Sequence, residues 1–203
     1  CLISNNHHLT PIPGEDFQMF EKDLPGQNKT GLSFQSASET LPLETCETIN
    51  GSWGYNITDD NYKTVKEIIH YLVNAAGLNT NLLLNVGPMA NGKIQQEFID
   101  SLQAVGSWIQ QHGETIYETR GNIIGPQDWG VVTAKNKNLF VHLLNTKGEQ
   151  IFFLPGLTTT VTKGWHYDTK KKIKFKQQPE GVFIYTGALP EDSYDTVIEL
   201  VTK

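Results

Sequence analysis

Residues 60–113 read as helix, buried strand, helix, and near residue 118 that alternation stops. Few folds accommodate such a switch. Tyr62, Val65, Ile68, Ile69, Leu72, Val73 and Ala76 recur on one helical face. The run Thr58-Asp59-Asp60-Asn61, whose short oxygens accept from free N–H groups, predicts the start, and Gly77 the stop. Asn81 to Val86 is apolar on both faces, as a strand covered by helices reads. Ile94, Phe98, Leu102, Val105 and Ile109 then predict a second helix, closed by Gly113. Earlier strands are expected at Leu2-Ile3 and at Leu43 to Ile49, with a long functional loop over Thr10 to Pro42 between them. Alternating β and α in this order implies a parallel sheet with right-handed crossovers.

After residue 118 the strands are short and no helix signal intervenes. Leu139 to Leu144 and Ile151 to Leu154 flank the hairpin signal Asn145 to Gln150. Ile173 and Phe175 alternate with Lys172, Lys174 and Lys176, and Val182 to Tyr185 and Val197 to Leu200 complete the set. This half is expected to be an antiparallel β-sandwich. The fold class is therefore α/β followed by all-β, with units 1–118 and 119–203.

Composition narrows the function. A net charge of -6 argues against nucleic acid and anionic membrane as partners. No apolar stretch reaches the roughly 20 residues of a membrane span. Cys1 and Cys46 form neither a disulfide framework nor a metal spacing, and whether they pair stays open. The chain opens Cys-Leu-Ile-Ser-Asn-Asn without Met, so it reads as the interior of a longer protein.

Parallel α/β folds carry their chemistry on loops after the C-terminal strand ends. Here those loops are Ser4 to His8, Glu15 to Pro25, Asn50 to Asn56 and Asn85 to Pro88. They hold carboxylates, amides, imidazoles and one Trp, but no nucleophile elbow, phosphate loop or metal-spaced cluster. The inventory favours acid–base work on a polar, uncharged substrate, and it demands no cofactor.

Leu43-Glu44-Thr45-Cys46-Glu47-Thr48-Ile49-Asn50-Gly51-Ser52-Trp53-Gly54-Tyr55-Asn56, followed by Asn81-Leu82-Leu83-Leu84-Asn85-Val86-Gly87-Pro88, resembles the family 29 glycoside hydrolases, the α-L-fucosidases. Asp16-Phe17, Glu21, Leu24-Pro25-Gly26 and Gly113 to Tyr117 match in order and approximate spacing. The resemblance implies the C-terminal portion of a (β/α)8-like barrel plus the sandwich. It also implies release of α-linked fucose from fucosylated oligosaccharides or glycoconjugates with retention. A full barrel takes about 250 residues, so the nucleophilic Asp is expected upstream of Cys1, and the N-terminal remainder of the protein is the implied partner.

By the same resemblance Glu21 is the acid/base, with Glu39, Glu44 and Glu47 as rivals. Phe17, Met19 and Phe20 are candidate apolar neighbours for it. Trp53 is the wall against the sugar's C5 methyl group. His7 stands where the family often has Arg near the sugar. Asn85, Gly87 and Pro88 are expected to shape a strand end, and Asn28, Asn50 and Asn56 begin sequons. The location implied is periplasmic, extracellular or lysosomal. The alternative is a non-catalytic carbohydrate-binding or structural module that binds through Trp129 and Trp165.

Overall fold

A computed structural model of the chain describes residues 1–5, 12–188 and 194–203. It divides by internal contact into two units, the first comprising Cys1–Ala75 and Asn79–Gln111, the second Ala76–Leu78 and His112–Lys203.

The first unit is built on a three-stranded parallel sheet of β1 (Gln18–Glu21), β2 (Leu43–Thr48) and β3 (Thr80–Asn85), in that spatial order. Helix α1 (Val65–Gly77) connects β2 to β3, and α2 (Gln96–His112) follows. Parallel neighbours need such crossovers, because a tight turn cannot return the chain in the same direction.

One sheet face is sealed. Phe20 and Thr45 are paired in register and fully buried, and Ile68, Ile69 and Val73 of α1 join the same core. The Thr45 hydroxyl donates to the Asp23 carbonyl at 2.7 Å, so the Tyr71 hydroxyl at 2.8 Å is the donor to Thr45. The opposite face carries Met19, Glu21, Glu44, Cys46, Asn81 and Leu83, none of them buried, with Leu83 52% exposed.

Three expectations need correction. Leu2-Ile3 forms no strand; both side chains are exposed, and the Ile3 backbone bonds Asp16 on both sides. Inside the supposed long loop lies β1, too short at four residues to show a period. Helix α1 starts later than Thr58 to Asn61, because Thr64 and Glu67 close a reciprocal cap. Thr64 Oγ1 accepts the Glu67 N–H at 3.2 Å, and Glu67 Oε2 accepts the Thr64 N–H at 2.7 Å.

The second unit begins with a 3₁₀ turn at Gly113–Thr115. Its strands are β4 (Gly130–Lys135), β5 (Asn138–Leu143), β6 (Ile151–Pro155), β7 (Val161–His166), β8 (Lys174–Gln178), β9 (Gly181–Tyr185) and β10 (Thr196–Thr202). They form antiparallel sheets ordered β4-β5-β10-β7 and β6-β9-β8. Val141, Leu143, Ile198 and Leu200 of one sheet share a core with Phe152, Leu154, Val182 and Ile184 of the other. The fold is thus α/β followed by all-β, the C-terminal portion of a (β/α)8-like barrel and an antiparallel sandwich. Strands β4 and β7 are absent from the sequence reading. Gly164 interrupts the apolar pattern of β7, where a Cβ would meet Leu200 at 2.9 Å.

Candidate active site

Three strand ends of the first unit meet the loop that carries Trp53. Glu21 is the last residue of β1, Thr48 of β2 and Asn85 of β3. Trp53 sits in the loop after β2, 37% exposed rather than in a core. Its Nε1–H donates to Glu21 Oε1 at 3.0 Å. Asn85 Nδ2 donates to the Trp53 carbonyl at 2.8 Å and to Thr48 Oγ1 at 3.3 Å. Asn85 therefore does more than shape a strand end: its amide fixes the loop that carries the indole.

Lys22 was not among the expected site residues. It turns the chain out of β1 at φ 57°, a left-handed conformation that costs a non-glycine residue about 1 kcal/mol. That turn is held by its own N–H on the Cys46 carbonyl at 2.8 Å. Its ammonium donates to the Gly51 carbonyl at 3.0 Å and lies 5.0 Å from the Trp53 ring centroid. A cation over an aromatic face at this separation is attracted to the ring's quadrupole. Nothing in the sequence marks Lys22, because its role depends on a backbone angle and a loop far along the chain.

The loop after β1 is pinned by Asp23, which is wholly buried. Its carboxylate accepts the Lys29 N–H at 2.9 Å, the Thr30 hydroxyl at 2.7 Å and the Ser33 hydroxyl at 3.0 Å. Burial pushes the carboxyl up, but these donors, with the Thr30 hydroxyl foremost, outweigh it and leave the group below its ordinary value. Gln18 ties the far end of the loop, accepting the Ser38 N–H at 2.7 Å and donating to the Ser36 carbonyl at 3.0 Å.

The rival carboxylates lie elsewhere. Glu47 is buried and pairs with Lys63 at 3.3 Å. Alternation along β2 puts it on the helix-covered face with Thr45, opposite to the Glu21 face. Glu44 shares the Glu21 face, two residues short of the Cys46 that pairs with Glu21. Glu39 is exposed in the loop before β2. Cys46 feels this setting: burial first, then the charge of Glu21, pushes its thiol up. His7 lies outside the described residues.

Among the sequons, Asn50 is buried, and its Oδ1 accepts from Ser52 N at 3.3 Å and Thr48 Oγ1 at 3.4 Å, so it is closed to modification. Asn28 and Asn56 are exposed. The binding-module alternative loses an anchor, since Trp129 belongs to the sandwich core, edge-on to Phe152 at 6.3 Å. Trp165 is half-buried and donates to Glu199. Among the described residues no cluster of three or more His, Cys, Asp or Glu could hold a metal ion.

Comparison with known proteins identifies the family. The alpha-L-fucosidase family model matches residues 1–114. The plasma alpha-L-fucosidase of Pongo abelii is 36% identical over 114 residues, covering 51% of this chain and 24% of that protein. The tissue alpha-L-fucosidase of Bos taurus is 30% identical over 175 residues, covering 78% of this chain and 36% of that one. Alpha-L-fucosidase isoenzyme 1 from Paenibacillus thiaminolyticus superposes with a TM-score of 0.77 at 32% identity, over 93% of this chain and 45% of that one. The chain thus spans less than half the length of the relatives it matches. With more than half of its residues under the family model and the fold shared across nearly all of it, the chain belongs to the alpha-L-fucosidase family.

Proposed function

We propose that this chain is the C-terminal part of a retaining α-L-fucosidase, in which it supplies the acid/base and part of the sugar pocket. The observation that carries the reading is the Trp53 N–H on Glu21 Oε1 where three parallel strands end. Retaining hydrolysis needs two carboxyl groups about 5–5.5 Å apart. Glu21 is the one that protonates the departing glycosidic oxygen and then takes a proton from the incoming water. Its Oε1 accepts the indole N–H. The same N–H stabilises the carboxylate once that proton has gone. The nucleophilic Asp belongs to the sequence upstream of Cys1.

The uncovered sheet face supports that completion. Parallel sheets are ordinarily covered on both faces, and Met19, Glu21, Cys46 and Leu83 lie on the uncovered one. In this reading residues 1–118 close the catalytic barrel, the N-terminal remainder covers that face, and 119–203 form the sandwich domain. Trp53 contributes the apolar wall for the 6-deoxy position, and His7 a hydroxyl contact. The substrate is a terminal α-L-fucosyl linkage in an oligosaccharide or glycoconjugate. Since the matched relatives are named plasma and tissue enzymes, the location is extracellular or lysosomal.

Glu21→Gln in the full-length protein tests the assignment. Turnover of a fucoside with a poor leaving group should fall about 10²–10⁴-fold, with azide restoring turnover of an activated fucoside. Undiminished hydrolysis of the poor substrate would remove Glu21 from the mechanism.

A further inference from the structure

The two sheets of the sandwich differ in what covers them. In the β4-β5-β10-β7 sheet the residues that point away from the shared core, among them Val131, Thr133, Phe140 and His142, are buried as well. The β6-β9-β8 sheet leaves its outer face open. Alternation sends Phe152, Leu154, Val182 and Ile184 inward, so Ile151, Phe153, Phe183 and Tyr185 stand outward. Register aligns them in rows across the three strands. Ile151, Tyr185 and Lys174 form one row, and Phe153, Phe183 and Lys176 the next. Ile151 is 53% exposed and Tyr185 36%, and the Phe153 and Phe183 rings lie 4.5 Å apart, tilted by 30°.

The charge of this face has one sign. Strands β6, β8 and β9 contain no Asp or Glu; Glu149 precedes β6, and Glu180 sits in the β8–β9 turn at the other end of the sheet. Lys171 and Lys172, both exposed, extend the positive edge beyond the start of β8. In a chain with 22 acidic and 16 basic residues, this strip reverses the overall sign locally.

Rings and charges together select the occupant. The face of an aromatic ring is negative and attracts the C–H groups of a sugar ring laid flat against it. Lys174 and Lys176 are about 7 Å apart along β8, and their ammonium groups act as mobile point charges. Such charges suit a tetrahedral anion, whereas a planar carboxylate matches the fork of Arg, which these strands lack. Pairing with a second copy is disfavoured. An isologous contact through this face would bury lysines from both copies, with no carboxylate in the strands to pair them.

We propose that the outer face of the β6-β9-β8 sheet binds a polysaccharide that carries sulfate esters. Sugar rings stack on Phe153, Phe183 and Tyr185, and Lys174 and Lys176 hold the sulfate. The face uses none of the residues around Glu21 and holds the polymer without cleaving it, so it stands whether or not the hydrolase reading does.

The test measures binding of the full-length protein to dextran sulfate, uncharged dextran and inorganic polyphosphate at physiological salt. Dextran sulfate should bind about tenfold or more tightly than either of the others, because each lacks one of the two features recognised. The double variant Lys174→Gln/Lys176→Gln should weaken dextran sulfate about tenfold or more. Tyr185→Ala should weaken it about three- to tenfold and leave polyphosphate, which has no ring to stack, unchanged. Thermal midpoints near that of wild type show that the variants are folded; should Tyr185→Ala fail to fold, the exposed lysine pair still decides. Dextran sulfate affinity unchanged in the lysine variant overturns the proposal. So does polyphosphate binding as tightly as dextran sulfate, which means attraction of charge alone. A dimer lost in the lysine variant without any probe makes the face a subunit contact, and preference for phosphatidylserine vesicles makes it a membrane surface; either result overturns the assignment.

Discussion

The indole N–H of Trp53 donates to a carboxylate oxygen of Glu21 across 3.0 Å, and so joins the end of β1 to the loop after β2. Both residues came from the family resemblance, but their contact did not. It gives one side chain two roles, as an apolar wall and as the donor that orients the acid. The roles separate by substitution.

Trp53→Phe keeps a ring and removes the donor. The ionised form of Glu21 then loses a partner, so the alkaline limb of the kcat/KM profile should move to higher pH. Trp53→Ala removes the wall as well. The preference for fucoside over galactoside should then fall by about 1–3 kcal/mol, measured as the ratio of kcat/KM values. An unchanged preference would show that the indole does not face the 6-deoxy position.

Asp23 should act on stability more than on chemistry. Replacing it by Ala leaves the donors of Lys29, Thr30 and Ser33 without an acceptor, at a cost of about 3 kcal/mol in urea unfolding at pH 7. The sign with pH follows from its lowered value. A carboxyl held below 3.8 when folded adds stability above that pH and gives it up as pH falls through the folded value. The gap between wild type and Asp23→Asn should therefore narrow toward pH 3. A constant gap from pH 7 to pH 3 would contradict an ionised Asp23 in the fold.

In the sandwich, His142 Nδ1 meets Asp195 Oδ2 at 2.6 Å, both fully buried. The one hydroxyl hydrogen of Thr133 goes to the Thr115 carbonyl at 2.6 Å, so His142 Nε2 is the donor to Thr133 Oγ1 at 3.2 Å. Removing one member of such a pair strands the other, and Asp195→Ala should cost about 3–5 kcal/mol. A drop of less than 1 kcal/mol by calorimetry would mean that the pair is not buried in the whole protein.

Cys46 reports on the site without entering the chemistry. Its raised thiol should make iodoacetamide labelling at pH 8 slower than at an exposed cysteine such as Cys1. Since the Glu21 charge is one cause of the rise, Glu21→Gln should speed labelling of Cys46, followed by peptide mass mapping. No acceleration would place the carboxylate farther from the thiol than the strand pairing of Glu21 with Cys46 requires.

Much of the architecture is written in local pattern. Helical spacing over Val65 to Ala76, the two-sided apolar run at Leu82 to Leu84 and the later alternation each encode one element without reference to its neighbours. The Thr64–Glu67 cap is equally local, but the denser polar run before it masks it. By contrast β1 was illegible: Gln18 to Glu21 becomes a strand only because β2 supplies its hydrogen-bond partners.

The sequence by itself determined the helix–strand–helix run, five of the seven later strands, the change from parallel to antiparallel pairing, and the family. These follow from periodicity and from a motif ensemble carried within short stretches of chain. Only the tertiary structure decided that Glu21 bonds Trp53, that Lys22 lies over the same indole, and that Glu47 faces away with Lys63. Which face a strand residue takes, and what it meets across 32 residues of chain, depends on register and loop closure. No local pattern encodes those.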